Sequence, residues 1–235
     1  MSIQTLISVR GHTIFPSALL AGSTVIDCGS HRGEFAMQVL EVASVSVQGF
    51  EANPELFAIL PRLKHVEFFH QAIAGSVGTA TFSFQQPECG SIRFISQDNA
   101  LVSVPCTTLE AHCKLKQIEH IGLLKLDIEG AELDVLENAS PDFLKKIDQI
   151  TVEFHDFLCP EDLPRIQACV DRLKKLGFYF FRMSFFTWGD CLLLNSHSIT
   201  LSYRDIALIL YHRYYSGFKR MTAKFIGRLV SRNRL

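Results

Sequence analysis

Four short stretches concentrate the residue types that chemistry needs, and each has the character of a β-strand end. The first is Asp27-Cys28-Gly29-Ser30-His31-Arg32-Gly33, whose glycines permit a tight turn and close approach of backbone to a ligand. The second closes on Glu51, and the third is Lys125-Leu126-Asp127-Ile128-Glu129-Gly130-Ala131-Glu132. The fourth is Val152-Glu153-Phe154-His155-Asp156, which adds an imidazole and further acids. Crowding so many carboxylates around a lysine and a histidine is costly unless they are solvated, paired or used.

The pattern restricts the ligand. The first turn reads D-x-G-x-x-x-G and not G-x-G-x-x-G. A dinucleotide pyrophosphate seeks N–H groups at a helix N-terminus, whereas a carboxylate at a strand end favours a ligand with positive charge and amine donors. S-adenosylmethionine carries both. Glu51 is placed to accept hydrogen bonds from ribose hydroxyls, so Asp27 and Glu51 together point to a nucleoside site. His155 has a residue type whose ordinary pKa of about 6.5 suits a general base. Asp127 is the alternative base, and Lys125 could hold it in its charged form. Blander roles stand beside these: a structural histidine at 155, and helix N-terminal acids at Glu129 or Glu132, stabilised by the macrodipole. The histidines show no metal-ligand spacing and no metal is assigned, although Asp127, Glu129, Glu153, His155 and Asp156 could converge on a divalent cation.

The elements that must position these residues follow from periodicity. Short apolar runs at Thr24 to Asp27, Val45 to Glu51, His65 to Phe69, Leu123 to Asp127 and Ile150 to His155 alternate with segments of helical spacing, which is the order of parallel βαβ units. Phe35, Ala36, Val39, Leu40 and Ala43 mark the first helix; Asn53 and Pro54 start a second. Thr107 or Thr108 caps a helix through Leu115, Gly130 to Asn138 forms another, and Leu163 to Leu176 forms one closed by Gly177. The stretch from Ala74 to Val104, broken by Gly75, Gly78 and Gly90, reads as irregular sheet and loop. Phe178 to Met183 and Cys191 to Leu194, joined through Ser184 to Asp190, form a terminal hairpin that contributes one antiparallel strand. The result is a mostly parallel sheet with helices on both faces.

The chain has 235 residues, 48% hydrophobic and 20% charged, which excludes disorder and fits one medium domain with an appendage. Seven scattered cysteines without a C-x-x-C pair argue against a disulfide framework and for a reducing, cytoplasmic compartment. No segment has the apolar length of a membrane span or the pattern of a signal peptide. The net charge of −1 hides an asymmetry, because residues 201–235 carry eight Lys/Arg against one acid, +7, and leave −8 on the rest. Three segments follow: an N-terminal extension over 1–22, the main domain over 23–198 and a basic tail over 199–235. Ile206, Leu210, Tyr214, Phe218, Met221, Phe225 and Leu229 give the tail one apolar face, broken at Gly217; Arg220, Lys224, Arg228 and Arg232 recur every four residues. Such a helix suits an anionic membrane surface, a partner groove, the parent domain or a second subunit.

The set Val25 to Phe35, Phe50-Glu51-Ala52-Asn53-Pro54, Leu124 to Glu132 and Val152 to His155 resembles, in order and spacing, the FkbM family of S-adenosylmethionine-dependent methyltransferases. The resemblance covers roughly residues 22 to 195. It implies an α/β, doubly wound, mostly parallel seven-stranded sheet of the class I, Rossmann-like kind, followed here by a helical tail. It also implies methyl transfer to an oxygen, commonly on a sugar or polyketide-type small molecule, with a small-molecule or glycan acceptor as partner. The resemblance assigns the turn through Asp27, Gly29, Ser30 and Gly33 to the cofactor, Glu51 to the ribose, Asn53 to the flank of the adenosine and Gln71-Ala72-Ile73 to the adenine. Asp127 belongs with both the cofactor and the catalytic groups, beside His155 and Lys125. His31-Arg32 is bulkier than usual in this turn, and Gly75 stands where the family often has an acid. A nicotinamide-dependent oxidoreductase lacks its glycine motif here. A silent nucleoside-binding module would have no use for the acidic rim, and a nucleic-acid methyltransferase would face an acidic catalytic half that repels phosphates. Acceptor contacts are expected from Met1 to Ser23, Phe84 to Ala100 and Phe157 to Pro164.

Overall fold

The computed structural model describes residues 6–86, 89–91 and 101–215. Its strands are β1 (Ile7–Val9), β2 (His12–Ile14), β3 (Thr24–Cys28), β4 (Ser46–Phe50), β5 (Val66–Phe69), β6 (Ala72–Ile73), β7 (Gly78–Gln86), β8 (Cys89–Ser91), β9 (Leu101–Thr107), β10 (Leu123–Leu126), β11 (Gln149–Val152), β12 (Phe178–Arg182) and β13 (Cys191–Asn195). Its helices are α1 (Glu34–Val42), α2 (Pro54–Ala58), α3 (Leu109–Lys116), α4 (Glu132–Asn138), α5 (Pro141–Leu144), α6 (Leu163–Lys175) and α7 (203–215).

Seven strands form the central sheet in the order β12-β13-β11-β10-β3-β4-β5. β13 alone runs against the direction of the other six strands. Alternation along each strand feeds two cores. Ile26, Leu124, Leu126, Ile150 and Val152 pack beneath α3, α4, α5 and α6, while Val25, Val47 and Leu123 pack against Phe35, Ala36 and Val39 of α1 on the other face. The expected doubly wound α/β sheet with helices on both faces is therefore present.

Local chemistry sets the helix starts that matter for the site. Asn53 caps α2, its side-chain oxygen accepting from Glu55 N at 2.8 Å, with Pro54 pre-set at the first helical position. Thr108 caps α3 through Ala111 N. In α6 the buried Ile166, Cys169, Val170 and Leu173 fall on one stripe, and Gly177, at φ +99°, lets the chain leave the helix end.

Two expectations need correction. The described residues between Ala74 and Val104 are more regular than the glycines suggested, because β6, β9, β7 and β8 make a separate four-stranded sheet with Ala72, Phe82, Val104 and Cys106 in its core. The N-terminal extension has a defined place from residue 6 onward. Its β1–β2 hairpin lies on the sheet, Thr13 donating through N and Oγ1 to Asp190 at 3.0 and 2.8 Å. Phe15 and the Gln149 side chain exchange two further bonds. In the tail, Ile209 is the buried residue of α7, while Ile206, Leu210 and Tyr214 are exposed. Helical positions shift face by 100° per residue, and Ile209 is the one that meets Phe15, Met183, Leu192, Leu194 and Ile199. The rest of the tail pattern, from Gly217 onward, lies outside the described residues. No helix among the described residues is long and apolar enough to cross a membrane.

Candidate active site at the switch point of the sheet

The strand order reverses between β3 and β10, and in open α/β sheets the crevice beyond the carboxyl ends at that point binds ligands. A cleft occupies this place. One wall comes from the turn after β3 with Gly29, Ser30 and His31, and another from the end of β4 with Glu51, Ala52 and Asn53. Gln71, Ala72 and Ile73 close the far end, Lys125, Asp127 and Glu129 stand at the near end, and Arg10 and His12 reach in from the hairpin.

The first turn is built for close packing. Gly29 N and Ser30 N both donate to Phe50 O, at 3.0 and 2.8 Å, folding the turn onto β4. Gly29 has φ +85°, and a Cβ there would lie 1.9 Å from the carbonyl oxygen of Asp127, so no other residue fits. Gly33 begins α1 in the left-handed region at φ +76°. A Cβ on it would press on Pro61 and Phe68 at 3.0 to 3.2 Å, so its constraint is packing and it stands off the cleft wall.

Glu51 is largely buried and accepts from His31 N at 2.6 Å and Asn53 N at 2.8 Å. Burial raises its pKa above the ordinary carboxylate value, opposed by those two backbone bonds. It thereby joins the two loops that line the cleft. Asn53 lies on the wall as expected, its side-chain oxygen committed to the cap of α2.

Asp27 is wholly buried, off the cleft lining, and faces Lys125 Nζ at 3.2 Å. Its backbone is paired inside the sheet, in register with Lys125. Lys125 in turn donates to Gly29 O at 2.6 Å and Cys28 O at 3.2 Å, and reaches Asp127 Oδ2 at 3.5 Å. Burial works against its charge, but Asp27 and Asp127 outweigh it and hold the ammonium well above its usual pKa. Lys125 is the tie between the two central strand ends.

Asp127 is the hub. Burial would raise its carboxyl, but Lys125, the His12 hydrogen bond at 3.2 Å and His155 bring it well below the usual carboxylate range. His155 Nε2 stands 3.7 Å from Asp127 Oδ1 and 3.4 Å from Glu129 Oε2, and its Nδ1 lies 3.1 Å from Glu132. Burial pulls the imidazole down, yet Glu132, Glu129 and Asp127 push it up to about 9. At neutral pH the side chain is therefore an imidazolium, which accepts a proton only after losing one.

Glu132 opens α4, as the acid-at-a-helix-start reading had it, but it is buried. Its carboxylate folds back to accept from Ile128 N at 2.8 Å and Gly130 N at 3.1 Å, holding a turn in which Glu129 and Gly130 have φ +53° and +100°. Glu153 joins the rim, and burial together with the charge of Asp127 raises its pKa. Asp156 leaves the rim, accepting instead from Trp188 N at 2.9 Å in the hairpin loop. Trp188 stacks on Phe180 and packs edge-on to Phe154. Among the described residues, two sets of side chains have donor atoms close enough to share a cation: His12, Asp127 and Glu153, and Asp127, Glu129 and His155.

Sequence reasoning missed His12 and Arg10. His12 is 1% exposed, packs edge-on against Phe35 and meets Asp127 from 115 residues away. Arg10 pairs with Glu34 at 2.8 Å. The one available signal was that the N-terminal segment, named only as a whole among the acceptor segments, carries these two side chains around the turn residue Gly11.

The family model of the methyltransferase FkbM domain matches residues 27–180. The AMB antimetabolite synthetase AmbE of Pseudomonas aeruginosa is 37% identical over 79 residues, a match spanning 29% of this chain and only 4% of that protein. Among solved structures, a precorrin-6y C5,15-methyltransferase from Geobacter metallireducens aligns with TM-score 0.39 and 8% identity, covering 71% of this chain and 69% of that one. A SAM-dependent methyltransferase from Geobacter sulfurreducens, in complex with S-adenosyl-L-homocysteine, aligns with TM-score 0.35 and 12% identity, covering 71% and 62%.

Proposed function

This chain belongs to the FkbM methyltransferase family, and from that premise we propose that it transfers the methyl group of S-adenosylmethionine to a hydroxyl oxygen of a sugar or another small molecule. The observation that carries the reading is a single cleft with Glu51 at one end and Asp127 at the other, joined by the Gly29 turn. In this reading the ribose hydroxyls donate to Glu51, the adenine rests near Ala72, and the sulfonium lies toward the acidic near end. The acceptor oxygen attacks the methyl carbon in line. An O–C bond forms, the C–S bond breaks with its electron pair passing to sulfur, and the hydroxyl proton leaves to the Asp127 carboxylate, or to His155 once its imidazolium has given up a proton. The sulfonium is already an activated donor, so alignment and proton removal are what the protein contributes. Lys125 and His12 position Asp127, and Asp27 positions Lys125.

The test is calorimetric titration with S-adenosylmethionine and S-adenosylhomocysteine, with NAD as control. Saturable binding of the sulfur nucleosides is expected, at least tenfold weaker in Glu51→Ala. Absence of binding by folded protein would sink the reading.

A further inference from the structure

We propose that Asp127, Glu129 and His155 form a site for one divalent cation of the Mn2+ or Mg2+ type, placed to hold the acceptor's oxygen. The inference deepens the methyltransferase reading and rests on it for the identity of what the ion would hold. Three separate segments supply the donors: Asp127 just past the end of β10, Glu129 in the left-handed turn that follows, and His155 in the loop beyond β11. Their donor atoms all lie within 4.8 Å of one another.

The spacing suits a shared ion better than direct hydrogen bonds. His155 Nε2 stands 3.4 Å from Glu129 Oε2 and 3.7 Å from Asp127 Oδ1. Strong N–H···O contacts fall at about 2.7–3.2 Å. Ligands bonded at about 2.0–2.2 Å to one ion lie roughly 3.0–3.6 Å apart, close to the two His155 separations.

The surroundings match what orients a metal-binding imidazole. The Nδ1 side of His155 is 3.1 Å from the carboxylate of Glu132, which is itself fixed by Ile128 N and Gly130 N. A carboxylate behind the histidine directs the other nitrogen to the ion and raises its basicity. Asp127 is anchored in the same way: His12 and Lys125 both address its Oδ2, leaving Oδ1 toward His155. The His155 side chain is 5% exposed, whereas Asp127 and Glu129 are 29% and 33% exposed and line the cleft. An ion here has protein behind it and open positions toward the acceptor, where it would polarise a hydroxyl. The ion takes the place of the Nε2 proton of the His155 imidazolium, which is released on binding, and His155 is then a ligand instead of the proton acceptor.

The experiment strips the full chain with a chelator and titrates it with Mn2+, following the loss of the free-ion electron paramagnetic resonance signal. One Mn2+ per chain is expected, displaced by excess Mg2+, with affinity at least tenfold weaker in Glu129→Gln and in His155→Ala. Glu129→Gln is the safer variant because Glu129 is partly exposed, and circular dichroism confirms its fold. No saturable binding by the wild-type chain, or unchanged binding in Glu129→Gln, overturns the proposal. Binding lost in Glu153→Gln but kept in Glu129→Gln also overturns it, by moving the ion to the His12 side of Asp127. Nucleoside binding is measured on the same samples. S-adenosylmethionine bound without Mn2+ removes only the ion, and Mn2+ bound without the nucleoside removes only the methyltransferase reading.

Discussion

At the scale of single residues, the centre of the molecule is a chain of charges, Asp27, Lys125 and Asp127, of which the first two are buried in the sheet. A buried ion pair is strongly destabilised when one partner is removed alone, because the other is left uncompensated. Lys125→Met is accordingly expected to cost about 3–5 kcal/mol in urea unfolding, and Asp27→Asn added to it to recover most of that loss. If the single and double variants are equally unstable, the pair has been misread. Glu51 gives a pH test. Its raised pKa means that it takes up a proton at a higher pH than an ordinary glutamate as the solution is acidified. The ionised form is the better acceptor for ribose hydroxyls, so on acidification nucleoside affinity should begin to fall at a higher pH than an ordinary glutamate, at about 4.5, would give, while a weak-binding Glu51→Gln variant stays flat. These acids were legible because ligand-binding residues in α/β sheets cluster just beyond strand ends. What periodicity could not tell is which strand-end acid points back into the sheet, as Asp27 does, and which opens to the cleft, as Asp127 does. That choice depends on the neighbouring strand: β10 pairs with β3 in a register that sets Lys125 opposite Asp27.

At the scale of elements, the alternating βαβ order was legible because each strand and helix carries its own period. The site is nonetheless completed by an element read only as an extension. The β1–β2 hairpin has two strands of three residues each, too short to be stable alone. It holds because Asp190, at the far end of the chain, receives both Thr13 N and Thr13 Oγ1. Contacts across such a separation leave no local signal, which is why His12 could not be read from the sequence. Asp190→Ala should cost about 2–3 kcal/mol, since hydrogen bonds to a charged group are worth more than neutral ones and buried donors are left unpaired. The specific expectation is local. Hydrogen exchange should accelerate in residues 7–14 more than in β3 or β10, and His12 should lose its hold on Asp127. Uniform acceleration throughout the sheet would show instead that the hairpin is no separable unit.

At the scale of the whole molecule, the C-terminal tail combines packing with charge. Its first part is structural, because Ile209 fills the core formed by Phe15, Met183, Leu192, Leu194 and Ile199. Ile209→Ala should therefore cost about 2–4 kcal/mol. Beyond Tyr215 the sequence holds six bases, Lys219, Arg220, Lys224, Arg228, Arg232 and Arg234, and no acid. Each base near an anionic lipid surface contributes about 1 kcal/mol, an attraction that salt screens within a Debye length of about 10 Å at 0.1 M. A chain ending at Tyr215 should then keep the unfolding midpoint and nucleoside affinity of the full chain. At low salt only the full chain should sediment with vesicles containing anionic lipid, and neither should sediment with neutral ones. Equal sedimentation of the two chains would place the lipid contact elsewhere, and none at all would leave the six bases to a protein partner or a second copy. Because the domain before the tail carries −8, an attachment through these bases would also hold the acidic cleft at a distance from the anionic surface.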